Sequence, residues 1–319
     1  MRACRRDFVG GWRLEQTVFI ILEEHRTTLM EFAASTIIIQ ALHGLVYGML
    51  LFLVASGMTL VFGMMDILNI AHAAFYMLGA YLGYTILMAT GNFWLALIVA
   101  PVGVAFLGAL VERFFLRKVH KYGHAFELLI TFGVFFVITE AVKWIWGDFP
   151  RPVEVPAALA GSVHLLGSQY PVYRFFILVI SFAVLAVLLY VFLKTRIGIR
   201  IRAAVSDAQM VDVLGVNVPR LFLGVFSGGS ALAGLAGVVA GPFLSTYPGM
   251  GLDMLVDIFV VVVVGGFGSL PGAFVASLMI GELQSFGILF IPRLALVFQF
   301  LLMAVVLIIR PAGLFGEKV

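Results

Sequence analysis

Apolar residues recur along this chain in long runs, which short polar or glycine- and proline-containing segments separate. An α-helix needs about 20 mainly apolar residues to cross a bilayer. The short alternating segments of a transmembrane barrel are not visible. The runs predict helical spans near Ser35 to Phe62, Ala73 to Thr90, Asn92 to Val111, His124 to Trp146, Pro171 to Leu193, Leu221 to Ser245, Met254 to Gly268, Gly272 to Ile291 and Arg293 to Ile309. The segment before Gly268 is short for a full crossing, so the prediction is eight or nine spans.

Composition supports this pattern. Of the 319 residues, 62% are hydrophobic and 12% are charged, whereas soluble domains are about half apolar and about a quarter charged. The predicted class is therefore an all-α polytopic membrane protein, a bundle of eight or nine transmembrane helices with Gly/Pro-broken segments. The single cysteine, Cys4, excludes an internal disulfide and a cysteine-based metal site.

Lysine and arginine residues cluster in two loops, "ERFFLRKVHKYGH" and "LKTRIGIRIRAAVSDAQMVDVLGVNVPR". Basic loops face the cytoplasm, and two predicted spans separate these loops, so both can lie on that side. The segments "GDFPRPVEVPAALAGSVHLLGSQYP" and "YPGMGLD" then face outward.

The first 29 residues conflict with this topology. Counting back three spans from the first basic loop places the N-terminus outside, whereas five arginines before Met30 favour the inside. One explanation is that residues 1–29 are a polar extension from a mis-assigned start, with the transmembrane domain covering 30–319. The alternative is an interfacial helix in "TVFIILEEHRTTLMEF". We favour the mis-assigned start.

The second basic loop predicts a short capped helix on the cytoplasmic side. Ser206 and Gln209 have the spacing of a capping box, and Gly215 suits a left-handed C-terminal cap. Apolar residues repeat at helical spacing along it, at Ile201, Ala204, Val205, Ala208, Val211 and Leu214. Such a helix either ties two spans together or docks into another protein, and the pattern does not decide between the two.

Polar residues at membrane depth are candidates for a pathway, because a charge at a helix centre costs about 2.5–3.5 kcal/mol on the insertion scale. Asp66, Asn69 and His72 step by three, so we expect them to share one face of a helix. For Glu140 and Asp257 the interface is favoured. For Asn69, His72 and Glu282, helix-to-helix hydrogen bonding and a role in the pathway are equally supported.

The stretch "VVVVVGGFGSLPGAFVA", Val260 to Ala276, places glycine and proline inside an apolar run. Non-helical backbone at bilayer depth is tolerated only where protein or a water-filled cavity covers it, and interrupted helices mark transport pathways. The alternative is a tight turn at the cytoplasmic surface. Together with the polar candidates, the predicted translocation path comprises Asn69, His72, Gly265, Gly266, Gly268 and Glu282.

Chemistry-bearing motifs are missing from the sequence. No G-x-x-x-x-G-K-[ST] motif is present, so the chain does not bind ATP in a P-loop, and no HExxH motif or tight histidine cluster suggests a metal. We therefore predict no catalytic, cofactor or metal site in this chain, and no enzyme activity.

Several segments resemble the branched-chain amino acid ABC permease subunits, in the high-affinity leucine/isoleucine/valine type. They are "GLVYGMLLFLVASGMTLVFGMMDILNIAHAAFYMLGAYLGY", both basic loops, "LAGLAGVVAGP", "VVVVVGGFGSLPGAFVASLMIGE" and "RPAGLFG". The resemblance runs in order from about Met30 to Gly316, and residues 1–29 lie outside it.

The resemblance implies a multi-pass subunit of the bacterial inner membrane. Its implied partners are a paralogous second permease, two ATPase subunits that bind ATP, a periplasmic solute-binding protein and the lipid bilayer, with no nucleic acid. It also implies a coupling loop near 194–220, whose helix from Ala203 to Gly215 contacts the ATPase through Ala203, Ala204, Asp207, Ala208 and Gly215. Alternatives are a permease for urea, amides or other small organic solutes and, in another class, an ion-coupled secondary transporter using Asp257 or Glu282.

Overall fold

The computed structural model describes residues 7–165 and 167–316, with side chains from residue 35 onward. In chain order the helices are α1 (Asp7–Met65), α2 (Ala71–Thr90), α3 (Phe93–Val111), α4 (Arg117–Val119), α5 (His124–Trp146), α6 (Val172–Lys194), α7 (Arg196–Ser206), α8 (Ala208–Val213), α9 (Val218–Leu244), α10 (Met250–Gly265), α11 (Leu270–Phe290) and α12 (Ala295–Ile309). A π-helical turn, Glu112–Leu116, continues α3 into α4. Short 3-10 turns cover His120–Tyr122, Ala157–Leu159 and Pro292–Leu294.

Eight helical stretches in the described part of the chain are long and apolar enough to cross a membrane. They are Ser35–Met65, Ala71–Thr90, Phe93–Tyr122, His124–Trp146, Val172–Lys194, Val218–Leu244, Leu270–Phe290 and Pro292–Ile309. Helix α10 has 16 residues, about 24 Å at 1.5 Å per residue, which is short for a crossing. The predicted fold class and the count of eight or nine spans are confirmed, and the protein is a polytopic membrane protein.

The structure also contains a small antiparallel hairpin, which the all-helical prediction did not include. Strands β1 (Ser162–Leu165) and β2 (Ser168–Pro171) pair with Val163 opposite Tyr170. They lie in the proline- and glycine-rich segment predicted to face outward.

Contacts between loops divide the bundle into two ends. Arg151 pairs with Thr246 through two backbone hydrogen bonds of 2.7 and 3.2 Å, which joins the two segments predicted to face outward. At the other end, Arg117 of the first basic loop donates to the carbonyl of Pro219 in the second (2.9 Å). We call these the outer end and the cytoplasmic end, following the basic residues.

Helix α1 forms the centre of the bundle. Most of its span is buried, whereas α3, α5, α6 and α12 are largely exposed and therefore provide the lipid-facing perimeter. Helix α9 packs closely against α1 and α2, with Gly229 against Gly57 and Gly237 against the backbone of Tyr76. Small residues allow such approach in membranes, where packing drives helix association. The mis-assigned start concerns residues 1–29, whose side chains lie outside the described part, so it stays a prediction.

Candidate docking surface and membrane-interior site

The predicted cytoplasmic helix is two helices, so the single helix from Ala203 to Gly215 is wrong. The hydroxyl of Thr195 accepts from the amide of Gly198 (3.3 Å) at the start of α7. Asp207 then adopts an extended conformation (φ −156°, ψ 94°), and its carboxylate accepts from the amide of Met210 (2.9 Å) to cap α8. Aspartate bonds readily to nearby backbone, so it favours a cap over a helix interior.

The predicted capping box of Ser206 and Gln209 is also wrong. The Ser206 hydroxyl donates back to the carbonyl of Arg202 (3.2 Å), and Asp207 provides the cap instead. The sequence did contain a helix-capping residue, Asp207, one position after the predicted Ser206.

Gly215 ends α8 as predicted. Its φ is +85°, and its amide donates to the carbonyl of Asp212 (2.9 Å), while the amide of Val216 donates to the carbonyl of Val211 (3.2 Å). This pair of bonds is the Schellman motif, whose left-handed residue is usually glycine.

Helix α8 exposes an apolar face at the cytoplasmic end. Met210, Val213 and Leu214 are 55%, 83% and 74% exposed. They are spaced i, i+3 and i+4, so they share one side of the helix. We call these three residues the α8 patch. The opposite face of α8 packs on the bundle, where Val211 is buried.

The five predicted coupling residues divide between surface and interior. Ala203, Asp207 and Gly215 are exposed, Ala208 is half-buried, and Ala204 is buried in the core. The surface therefore presents three of them beside the α8 patch, and Ala204 attaches α7 to the bundle.

Charged side chains fix this region to the spans. Arg117 binds the buried carboxylate of Glu112 through two hydrogen bonds of 3.2 and 3.1 Å while it holds Pro219 at the start of α9. The guanidinium of Arg202 donates to the carbonyl of Phe192 in α6. A cleft of about 320 Å³ lies beside Gly215 and is lined in part by Arg200 and Arg220.

Asp66, Asn69 and His72 do not share a helix face, so that prediction is wrong. Helix α1 ends at Met65, Asp66 takes a left-handed conformation (φ +54°), and α2 begins only at Ala71. Asp66 is exposed at the cytoplasmic end, where its carboxylate lies 3.5 Å from His124 Nε2. The other ring nitrogen of His124, Nδ1, lies 3.4 Å from the buried carboxylate of Glu127. The short polar side chain of Asp66 tolerates the left-handed region better than most residues.

The non-helical segment 66–70 returns into the bundle. The Nε2 atom of His72 is 2.9 Å from the carbonyl of Val54. Val54 precedes the end of α1 by 11 residues, about 16 Å along the helix. The start of α2 therefore lies inside the bundle. Residues 67–70 before it are irregular backbone whose residues are buried or half-buried, as a membrane interior requires.

Two polar side chains at this break carry atoms without a hydrogen-bond partner. Asn69 and His72 are fully buried. Both amide atoms of Asn69 and Nδ1 of His72 have no hydrogen bond. The neighbouring Leu68 and Ile70 instead line an apolar cavity of about 300 Å³ beside α10. Asn69 and His72 therefore place unpartnered polar atoms close to an apolar cavity.

The glycine-rich stretch forms a turn at the cytoplasmic end. Gly266 and Gly268 have φ values of +98° and +76°. Phe267 between them is exposed, and its ring contacts that of Phe62 at the end of α1 (4.5 Å between centroids, planes inclined by 32°). This arrangement matches the alternative of a tight turn. The assignment of Gly265, Gly266 and Gly268 to the path stays a prediction.

The C-terminal segment closes this turn. The amides of Leu314 and Phe315 donate to the carbonyls of Val264 (2.9 Å) and Gly265 (3.1 Å). The last carbonyls of a helix lack intrahelical donors, so the "RPAGLFG" segment supplies them for α10.

Glu282 lies apart from Asn69 and His72. It is half-buried on α11 and packs against Gly44 of α1. Gly44 precedes Val54, the partner of His72, by ten residues, about 15 Å along α1. The structure therefore does not bring the predicted path residues into one cluster.

Asp257 lies inside the bundle rather than at the outer surface. It is 9% exposed and accepts from the hydroxyl of Tyr47 in α1 (2.7 Å) and from the amide of Gln299 in α12 (3.1 Å). Sequence reasoning missed both partners. A signal existed for one of them, because Gln299 is the sole polar residue in the apolar run of α12. Glu140 is exposed on α5 and pairs with Lys143 (2.7 Å), and its place at the membrane interface stays a prediction.

In the described part of the chain, no group of three or more His, Cys, Asp or Glu side chains is placed to hold a metal ion.

Three relatives cover most of the chain. The high-affinity branched-chain amino acid transport system permease protein LivH of Salmonella typhimurium is 27% identical over 294 residues, covering 87% of this chain and 95% of the relative. BraD of Pseudomonas aeruginosa, named for the same transport system, is 29% identical with the same coverage. A probable branched-chain amino acid transport permease protein LivH of Methanocaldococcus jannaschii is 28% identical, covering 85% and 90%.

The family described as "Branched-chain amino acid transport system / permease component" matches residues 40–307. That range contains the break at 66–70, both basic loops and the glycine turn. This chain belongs to that family of permease components.

Proposed function

We propose that the chain is the permease subunit of an ATP-driven importer of branched-chain amino acids in the bacterial inner membrane. Its relatives are named for branched-chain amino acid transport, which supports this cargo. In this proposal a paralogous second permease completes the path, two ATPase subunits bind ATP, and a periplasmic binding protein delivers the solute. The chain itself binds no nucleotide and catalyses no reaction.

The observation that carries the proposal is the α8 patch. Two large apolar side chains of the six-residue helix α8, and a third on its C-terminal cap Leu214, face the aqueous, cytoplasmic end of a membrane bundle. Exposed apolar patches of this kind mark interaction sites. A docked ATPase subunit would bury them and would gain a rigid contact to the spans.

The contacts behind α8 suggest how movement would pass inward. Ile201 and Ala204 of α7 are buried in the core, and Arg117 ties the loop at Pro219 to the buried Glu112. A displacement of α8 on ATP binding would therefore move α7, α9 and the first basic loop together. The break at 66–70 adjoins that loop through Asp66 and His124.

The path in this proposal uses the irregular backbone. Asn69 and His72 offer unpartnered polar atoms, and the neighbouring Leu68 and Ile70 line an apolar cavity. Polar atoms next to an apolar cavity suit a solute with an aliphatic side chain and polar ends. The turn at Gly265, Gly266 and Gly268 would act as a hinge between α10 and α11. Glu282 would lie further along the route, beside α1.

Acidic substitutions in the α8 patch test the proposal. Val213→Asp and Leu214→Asp place a charge where an apolar contact is expected, and each should weaken ATPase binding by about 2 kcal/mol or more, roughly 30-fold. Co-purification of the ATPase subunits and ATP-dependent leucine uptake into proteoliposomes would both fall. The binding protein is included in these vesicles.

Val163→Asp is the matched control, because Val163 is an exposed valine of the outer hairpin. It should leave co-purification unchanged. Full ATPase binding and uptake in the α8 variants would contradict the docking role.

Competition experiments test the identity of the cargo. Isoleucine and valine should reduce leucine uptake, and competition by urea or acetamide instead would favour the solute alternative.

A further inference from the structure

Four helices bring polar side chains together around Asp257, midway along α10. Tyr47 of α1 and Gln299 of α12 contact it, Gln284 of α11 lies beside Tyr47, and Tyr76 of α2 is nearby. We call these five residues the Asp257 site. We propose that this site binds the ammonium group of the amino-acid cargo during its passage. The inference rests on the proposed function and adds the recognition of a charged group to it.

The carboxylate of Asp257 has donors but no cation. Tyr47 and Gln299 each donate one hydrogen bond to it. The ion pairs found among the described residues do not include Asp257. A buried carboxylate without a partner of opposite charge is costly. A positive group would offset this cost, and the described residues supply none at the site.

Further atoms at the site lack donors. Gln299 is 1% exposed, and its Oε1 atom has no hydrogen bond, nor has Oε1 of Gln284, whose side chain lies beside the Tyr47 hydroxyl. The buried hydroxyl of Tyr76 is unpartnered as well. An ammonium group carries three donors and no acceptor. One carboxylate and unused amide oxygens are the acceptors that such a group needs.

Two acidic residues follow each other along α10 from the outer end to the site. Asp253 lies one turn before Asp257 on α10 and is exposed, and the hydroxyl of Tyr247 donates to it (2.6 Å). Burial, followed by the hydrogen bond and charge of Asp253, raises the pKa of Tyr247 to about 12, so this phenol keeps its proton. Tyr76 lies close enough to interact with both Tyr247 and Asp257. Carboxylates in series attract a cation inward.

The ligand set fits an organic cation better than a divalent metal ion. Calcium takes 6–8 oxygen ligands, usually with several carboxylates, and Asp257 is one carboxylate among amides and phenols. A monovalent ion such as sodium shares the positive charge, so the experiment must separate sodium from the ammonium group.

Charge-selective labelling of Gln299→Cys tests the proposal. The assembled transporter is used with Cys4→Ser, which removes the one native cysteine. With Asp257 intact, the cationic reagent 2-aminoethyl methanethiosulfonate should react at least about tenfold faster than its anionic 2-sulfonatoethyl counterpart. During ATP turnover leucine should slow this reaction, and 4-methyl-2-oxopentanoate, which has the same skeleton without an ammonium group, should not.

In the same Gln299→Cys background, Asp257→Asn should abolish both the preference for the cationic reagent and the protection by leucine. Glu140→Gln is the control, because it makes the same carboxylate-to-amide change on the surface of α5, and it should preserve both. Equal rates for both reagents, no labelling by either, or protection by sodium chloride but not by leucine would overturn the inference. If the unmodified transporter shows no ATP-dependent leucine uptake, the proposed function fails. If it shows uptake but Gln299→Cys is not protected, the inference alone fails.

Discussion

Gly268 shows how one residue can join two distant segments of backbone. Its φ of +76° lies in the left-handed region, and a Cβ at this position would lie 2.7 Å from Cα of Gly63. Both the conformation and the contact therefore require glycine. The pair joins the last turn of α1 to the turn between α10 and α11, close to the segment 66–70.

Gly268→Ala should destabilise the fold. The left-handed conformation costs an L-residue about 1–2 kcal/mol, and the methyl group would also press on Gly63. We expect a lower midpoint of thermal unfolding for the detergent-solubilised protein. Gly133→Ala is the control, because a Cβ there meets no atom within 4 Å. Equal midpoints for the two variants would contradict the close contact.

Aspartate ends a helix twice in this chain by two different means. Asp66 terminates α1 with a positive φ, and Asp207 separates α7 from α8 by capping the second helix. The apolar spacing around Asp207, and the step of three from Asp66 to His72, both predicted helix at these positions. At Asp207 the side chain bonds to the nearby backbone in competition with the helix, whereas at Asp66 the left-handed backbone itself ends the helix.

At the scale of elements, α7 and α8 form a jointed connection between α6 and α9. Helix α7 is attached through buried Ile201 and Ala204, while α8 is attached through Val211 and leaves its other face in water. Gly215 fixes the direction in which the chain leaves α8 for α9, because its Schellman bonds require a positive φ.

Gly215→Val should uncouple ATP hydrolysis from uptake. A β-branched residue does not tolerate φ of +85°, so the joint would change direction while the spans still insert. ATPase activity of the assembled transporter should persist while leucine uptake falls, measured on the same vesicles. Gly215→Asn is the matched control, because asparagine tolerates the left-handed region. Full uptake in the valine variant would argue against a docking joint.

The helices themselves could be predicted, because bilayer thickness imposes run lengths that are visible in one dimension. The prediction of His124 to Trp146 matches α5 at both ends. Contacts between distant segments could not be predicted: Asp257 lies 210 residues from Tyr47 and 42 from Gln299, and their meeting depends on how α1, α10 and α12 pack. The return of residues 66–70 to the level of Val54 is also set by packing.

At the scale of the whole molecule, the central helix α1 connects the regions discussed above. Tyr47 belongs to the Asp257 site, Val54 accepts from His72, and Gly63 contacts the glycine turn. The α8 patch lies at the cytoplasmic end of the bundle. The end of α1 at Asp66 lies at the same end. A transporter built in this way would receive its energy from outside the chain and pass it towards the centre.

The most direct test is leucine accumulation in proteoliposomes that contain this chain and its paired permease, with the binding protein supplied. The account predicts accumulation above equilibrium only when the ATPase subunits and ATP are present, and none under a proton or sodium gradient alone. Accumulation driven by an ion gradient in vesicles lacking any ATPase would contradict it and would favour an ion-coupled transporter.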